Sequence, residues 1–146
     1  MALERGLKAE LHAAEGRYFA ADARETLARF MVNGLPDATR FAITIGELLT
    51  QAKASSQGRL AIYGEMVALL WGQGQQEAAM QLERFWNELG KSQSFTLRCA
   101  YPLSVFSSQS EIDAVLRICS EHTHVIPPEE YSHREHGLCG LLGRQS

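Results

Sequence analysis

The chain has 146 residues, 45% apolar and 21% charged, which suits one compact core of single-domain size. Its formal charge of -3 is spread without any block of five like charges, so the electrostatic footprint of a direct nucleic-acid binder is missing. No stretch approaches the ~18 apolar residues of a membrane span, and Met1-Ala-Leu-Glu-Arg5 does not open a signal peptide, so a cytoplasmic chain with no membrane partner is expected.

From the N-terminus, Leu3, Leu7, Leu11 and Ala14 recur at helical spacing up to Gly16, and a short strand is expected over 17–21. Asp22 with Glu25 three residues on has the form of a capping box, and it opens a helix through Leu27, Phe30 and Met31 that stops near Asn33-Gly34. A further helix starts at Pro36-Asp37, with Phe41, Ile45, Leu48, Leu49 and Ala52 as its buried stripe, and breaks at Ser55 to Gly58. Leu60 to Tyr63 is a continuous apolar run between glycines, the pattern of a strand buried on both faces of a parallel sheet.

Met66 to Trp71 reads as a short helix, and Ala78, Leu82, Phe85, Trp86 and Leu89 as the stripe of a longer one ending at Gly90. Phe95, Leu97, Cys99 and Tyr101 alternate with Thr96, Arg98 and Ala100, so 95–101 is a strand ended by Pro102. Ser110 and Asp113 imitate a capping box ahead of a helix carrying Ile112, Val115, Leu116 and Cys119, and a fourth strand fits His124 to Ile126. Strands alternating with helices imply an α/β fold with a mainly parallel sheet flanked by helices, over residues 1–127. Residues 128–146 lack any periodic pattern and are expected to form a loose tail.

In open parallel sheets ligands collect beyond the carboxyl ends of the strands, where Tyr63, Gly64 and Glu65 would lie, with Tyr101 leaving a second strand at the same edge. Gly64 permits a sharp turn, Glu65 sets a carboxylate at a helix start, and Tyr63 offers a ring with a hydroxyl tip. The plainer alternative is that Glu65 caps a helix and the tyrosines are ordinary core or rim residues. Trp71 could wall the same site, whereas Trp86 is expected in the core.

Enzyme signatures are absent from the sequence. There is no GxxxxGK[ST] phosphate loop, Gly72-Gln73-Gly74-Gln75-Gln76-Glu77 lacks the last glycine of GxGxxG, and no Gly-x-Ser-x-Gly elbow occurs. The three cysteines are an odd number without CxxC spacing, as suits a reducing compartment. Cys119, His122 and His124, with His133, His136 and Cys139, hold the atom types zinc prefers at spacings unlike a finger, so neither a metal nor another cofactor is expected.

Several segments in order resemble one family: Arg59-Leu-Ala-Ile-Tyr-Gly-Glu-Met-Val-Ala-Leu-Leu-Trp71, Ala78 to Leu89, and Phe95-Thr-Leu-Arg-Cys-Ala-Tyr-Pro102. Glu15 to Asp22 and Glu25 to Met31 upstream, and Ile118 to Pro127 downstream, continue the likeness. Together they resemble the MEDS family, the methanogen/methylotroph DcmR-like sensory domains. The resemblance implies a RecA/KaiC-like fold without a P-loop that binds a small organic ligand and regulates a separate output protein, such as a histidine kinase or a transcription regulator.

It singles out Tyr63, Gly64, Glu65, Trp71, Cys99, Tyr101 and His124 as matching positions without saying which of them touch ligand, and of these Tyr63, Gly64, Glu65, Trp71, Cys99 and Tyr101 are expected to line the site. Members of the family carry a further strand, helix and strand ahead of a segment like Leu3 to Ala14, so the domain is expected to be short at its N-terminus. A non-enzymatic sensor is therefore the expected function. The alternatives are a protein-interaction or homodimerisation module without ligand, and a residual nucleotide-binding protein.

Overall fold

A computed structural model describes residues 19–54, 60–102, 109–126 and 139–145. The helix expected over residues 3–14, residues 17–18 of the first expected strand, and the tail over 127–138 lie outside them; residues 19–22 are not in a strand.

The order is α1 (Ala23–Phe30), β1 (Met31–Val32), β2 (Leu35–Pro36), α2 (Ala38–Ala54), β3 (Ala61–Gly64), α3 (Met66–Gly72), α4 (Gln76–Ser92), β4 (Thr96–Pro102), α5 (Gln109–Ser120), β5 (His124–Ile126) and β6 (Cys139–Gln145). Asp22 caps α1 as its sequence implies, its carboxylate accepting from the Glu25 amide at 2.9 Å. After α1 the chain makes a two-residue hairpin, Met31 opposite Pro36 and Val32 opposite Leu35. Asn33 at φ 52° and Gly34 at φ 81° supply the paired left-handed conformations such a tight turn requires.

The main sheet runs β3-β4-β6-β5. β3 and β4 are parallel, with Tyr63 opposite Arg98 and Gly64 opposite Cys99, while β4–β6 and β6–β5 are antiparallel. The fold is thus mixed α/β, and the expected mainly parallel sheet is reduced to one parallel pairing beside two antiparallel ones. The cause is β6, which arises from the tail expected to be loose and pairs with β4 along its whole length, from Thr96–Gln145 to Pro102–Cys139.

β3 lies at an edge of the described sheet instead of inside it. Ala61 and Tyr63 are exposed, Tyr63 at 58%, so the strand is not covered on both faces by the described residues. β4 is central and well buried: Leu97, Cys99 and Tyr101 are each 1% exposed and share one face by the strand period of two.

The core joins that face to the apolar stripes of the helices. Phe41 of α2 meets the rings of Phe30, Phe85 and Trp86 at centroid distances of 5.4, 5.4 and 5.3 Å, and Trp86 in turn meets Phe95. The stripe of α5 differs from its expected one, because Leu116 is 62% exposed while Ala114 and Ile118 face inward.

Candidate functional site

At the carboxyl end of β3 the chain passes from Tyr63 through Gly64 and Glu65 into α3. Glu65 occupies the position before the helix with φ -111° and ψ -7°, but its side chain makes no capping hydrogen bond. The capping role considered from the sequence is therefore not the one its carboxylate plays, and the group stands exposed beside the Tyr63 ring's strand end. Gly64 has no left-handed backbone, and a β-carbon there would meet Leu97 Cδ1 at an ordinary 3.8 Å, so its glycine is not demanded by local sterics.

The other three residues singled out from the sequence are interior. Trp71, Cys99 and Tyr101 are buried, and the Trp71 and Tyr101 rings meet edge to face at 5.8 Å. They cluster around a residue that the sequence reading passed over, Glu83 of α4. Its side chain is wholly enclosed; the Tyr101 hydroxyl donates to Oε1 at 2.7 Å, and Cys99 Sγ lies 3.7 Å from Oε2.

Glu83 falls on the inward face of α4 because it stands four residues after Ala79 and three before Trp86, both buried. A carboxylate on that stripe is the signal that could have revealed it.

His122 completes the cluster. α5 ends at Ser120, and the amides of Glu121 and His122 turn back to the carbonyls of Ile118 and Cys119 at 3.0 and 3.1 Å. Glu121 is tied to α4 by the Asn87 side-chain amide, which donates to its carboxylate at 2.8 Å and to its carbonyl at 3.3 Å, and by Arg84 at 3.7 Å. This pins the turn so that the His122 side chain, wholly enclosed, enters the core.

His122 Nδ1 lies 2.7 Å from the Ile118 carbonyl oxygen. A carbonyl can only accept, so Nδ1 carries the proton and donates. Nε2 then faces Glu83 Oε2 at 3.3 Å, out of hydrogen-bonding geometry and without a hydrogen-bond partner. The Trp71 indole nitrogen is likewise buried without one.

Of the cysteines and histidines weighed as a zinc set, His122 alone among the described side chains joins this cluster. Cys119 is half-buried on α5, where burial pushes its thiol pKa up against an opposing backbone hydrogen bond, and His124 is exposed. The side chains of His133, His136 and Cys139 lie outside the described ones.

A shallow open hollow of about 300 Å³ is lined by Arg24, Leu27, Met31, Leu69, Leu70 and Gln73 among others, at the far end of α3 from Tyr63. No described helix is long and apolar enough to cross a membrane. No family model, no curated protein and no solved structure matches the chain.

Proposed function

We propose that the chain is a sensory module of the MEDS kind, RecA-like in its fold, which binds a small organic ligand and regulates a separate output protein without itself being an enzyme. The observation that carries this reading is the enclosed polar cluster in which Trp71, Cys99 and Tyr101 gather around Glu83. Enclosing a carboxylate costs several kcal/mol unless it is paired, and an apolar side chain of the same volume would serve packing as well or better. Such breaches of the buried-apolar rule concentrate where function requires them.

Helix α3 gives the cluster a path to the surface. Its first residue follows Glu65 and its sixth is Trp71, so about 8 Å of helix separates the exposed edge from Trp71, whose ring meets that of Tyr101. An exposed carboxylate two residues after an exposed tyrosine at a strand end suits a small amine or hydroxylated molecule with an apolar body, held chiefly by the charge of Glu65. Occupying that edge tilts a helix only 7 residues long and shifts Trp71 against Tyr101. This two-position element is what an output protein would read.

The test is a thermal-shift screen of the purified chain against small amines, alcohols and apolar organics in buffer containing EDTA. A stabilising compound whose effect is lost in Glu65→Ala is expected. The reading fails if no compound raises the Tm, or if Glu65→Ala leaves the shift intact.

The protein-interaction alternative has one observation in its favour, the exposed face and outer edge of β3 among the described residues. Light scattering decides it, since a strictly monomeric chain at micromolar concentration rules out homodimerisation.

A further inference from the structure

We infer that Glu83, Cys99 and His122 form a binding site for a zinc-type divalent cation, stapling α4, β4 and the turn after α5. The three donor atoms all lie within 4.8 Å of one another, and their side chains are buried. The decisive feature is His122. With its Nδ1 proton committed to the Ile118 carbonyl, Nε2 presents a lone pair to the carboxylate oxygen, and two lone pairs at 3.3 Å repel unless a positive charge lies between them.

The geometry distinguishes a metal ion from an extra proton. A proton shared by Nε2 and Oε2 would draw them into a short, linear, charge-assisted hydrogen bond near ~2.8 Å. They are instead 3.3 Å apart and misaligned. Bond lengths of about 2.0 Å to nitrogen and oxygen and about 2.3 Å to sulfur, at tetrahedral angles, give edges of ~3.3 Å for N···O and ~3.5 Å for S···O. The observed separations are 3.3 Å for His122–Glu83 and 3.7 Å for Cys99–Glu83.

The groups behind the donors also suit a metal. The Tyr101 hydroxyl donates to Oε1, the Cys99 thiol donates to Oε2 at 3.7 Å until a metal replaces its proton, and the Ile118 carbonyl fixes the imidazole tautomer, an outer contact of the kind that orients metal ligands. Thiolate with imidazole and carboxylate favours a borderline-soft ion over magnesium or calcium. On binding, the Cys99 thiol gives its proton to solvent, and a dication with thiolate, carboxylate and neutral imidazole sums to zero charge. Three protein donors leave a fourth position for water or a small-molecule donor.

The test uses the whole chain, stripped with EDTA and titrated with Co²⁺, then with Zn²⁺. One equivalent of Co²⁺ is expected to bind with a near-ultraviolet thiolate-to-cobalt charge-transfer band, which Zn²⁺ abolishes by displacement. Cys99→Ser removes the band, His122→Gln and Glu83→Gln weaken binding at least tenfold, and Cys119→Ser leaves both unchanged.

Should a variant unfold, wild-type protein in partly denaturing urea keeps the proposal testable. Zn²⁺ then slows alkylation of Cys99 at least tenfold, read by peptide mass, without slowing that of Cys119. Absence of Co²⁺ binding, a band that survives Cys99→Ser, a band lost in Cys119→Ser, or Cys99 alkylation indifferent to Zn²⁺ overturns it. Because the organic-ligand screen is run in EDTA, failure of the metal site and failure of the sensory reading are separate outcomes.

Discussion

Replacing Tyr101 by Phe deletes the hydroxyl that donates to Glu83 at 2.7 Å and leaves the ring, with its edge-to-face contact on Trp71, in place. Both partners are enclosed, Tyr101 at 1% and Glu83 at 0% exposure, so water cannot take over the lost bond. A hydrogen bond to a charged group contributes about 1.5–3 kcal/mol, which puts the expected loss at about 2 kcal/mol.

A loss of about 2 kcal/mol lowers the Tm of a chain this size by roughly 4–8 °C, measurable by calorimetry of the metal-free protein. Glu83→Met alone removes the same bond from its other side, and the double variant loses that bond only once, so its destabilisation is less than the sum of the two single ones by about 1 kcal/mol or more. A Tyr101→Phe protein whose Tm stays within about 1 °C of wild type, or strict additivity in the double variant, would refute the account of Glu83 as a coupled core group.

Other consequences are open to direct measurement. Gly34→Ala forces a β-carbon into a backbone at φ 81° where nothing lies within 4 Å, so the cost is conformational alone, about 1 kcal/mol by urea unfolding. Phe41→Ala removes a ring that meets three others and should cost about 3–5 kcal/mol; a loss below ~1 kcal/mol in the same assay would contradict its place at the core.

Burial raises the Cys119 thiol pKa, so alkylation in the folded protein should titrate above the ordinary thiol value of 9.0, while Cys99 stays protected. The sign follows. The neutral thiol is favoured in the folded state, so the stability it contributes is present below the unfolded pKa and is lost as pH rises through the folded one.

Elements with a clear period were legible in the sequence. Leu97, Cys99 and Tyr101 alternate because β4 buries one whole face, and the stripe of α4 repeats because Ala78, Leu82 and Trp86 press on the core. β1 and β2 escaped notice because strands of 2 residues have no period; only Asn33-Gly34 marks the hairpin. β6 was missed for another reason: Cys-Gly-Leu-Leu-Gly-Arg-Gln does not alternate, and its pairing runs through backbone groups that any sequence supplies.

The candidate site divides in the same way. Trp71, Cys99 and Tyr101 announce themselves by residue type, whereas Glu83 looks like one more charge on a helix until Ala79 and Trp86 show which way it faces. His122 was visible as a metal-ligand type, but its partners come from α4 and β4, at sequence distances that no local spacing encodes.

The central claim is that a ligand held at the Tyr63–Glu65 edge is felt at Trp71. Trp71 emission in a Trp86→Phe background, recorded while a stabilising compound from the EDTA screen is titrated, tests it most directly. The expected result is a saturable emission change that vanishes in Glu65→Ala. A compound that stabilises the protein while Trp71 emission stays flat, or that changes it equally in Glu65→Ala, would contradict it.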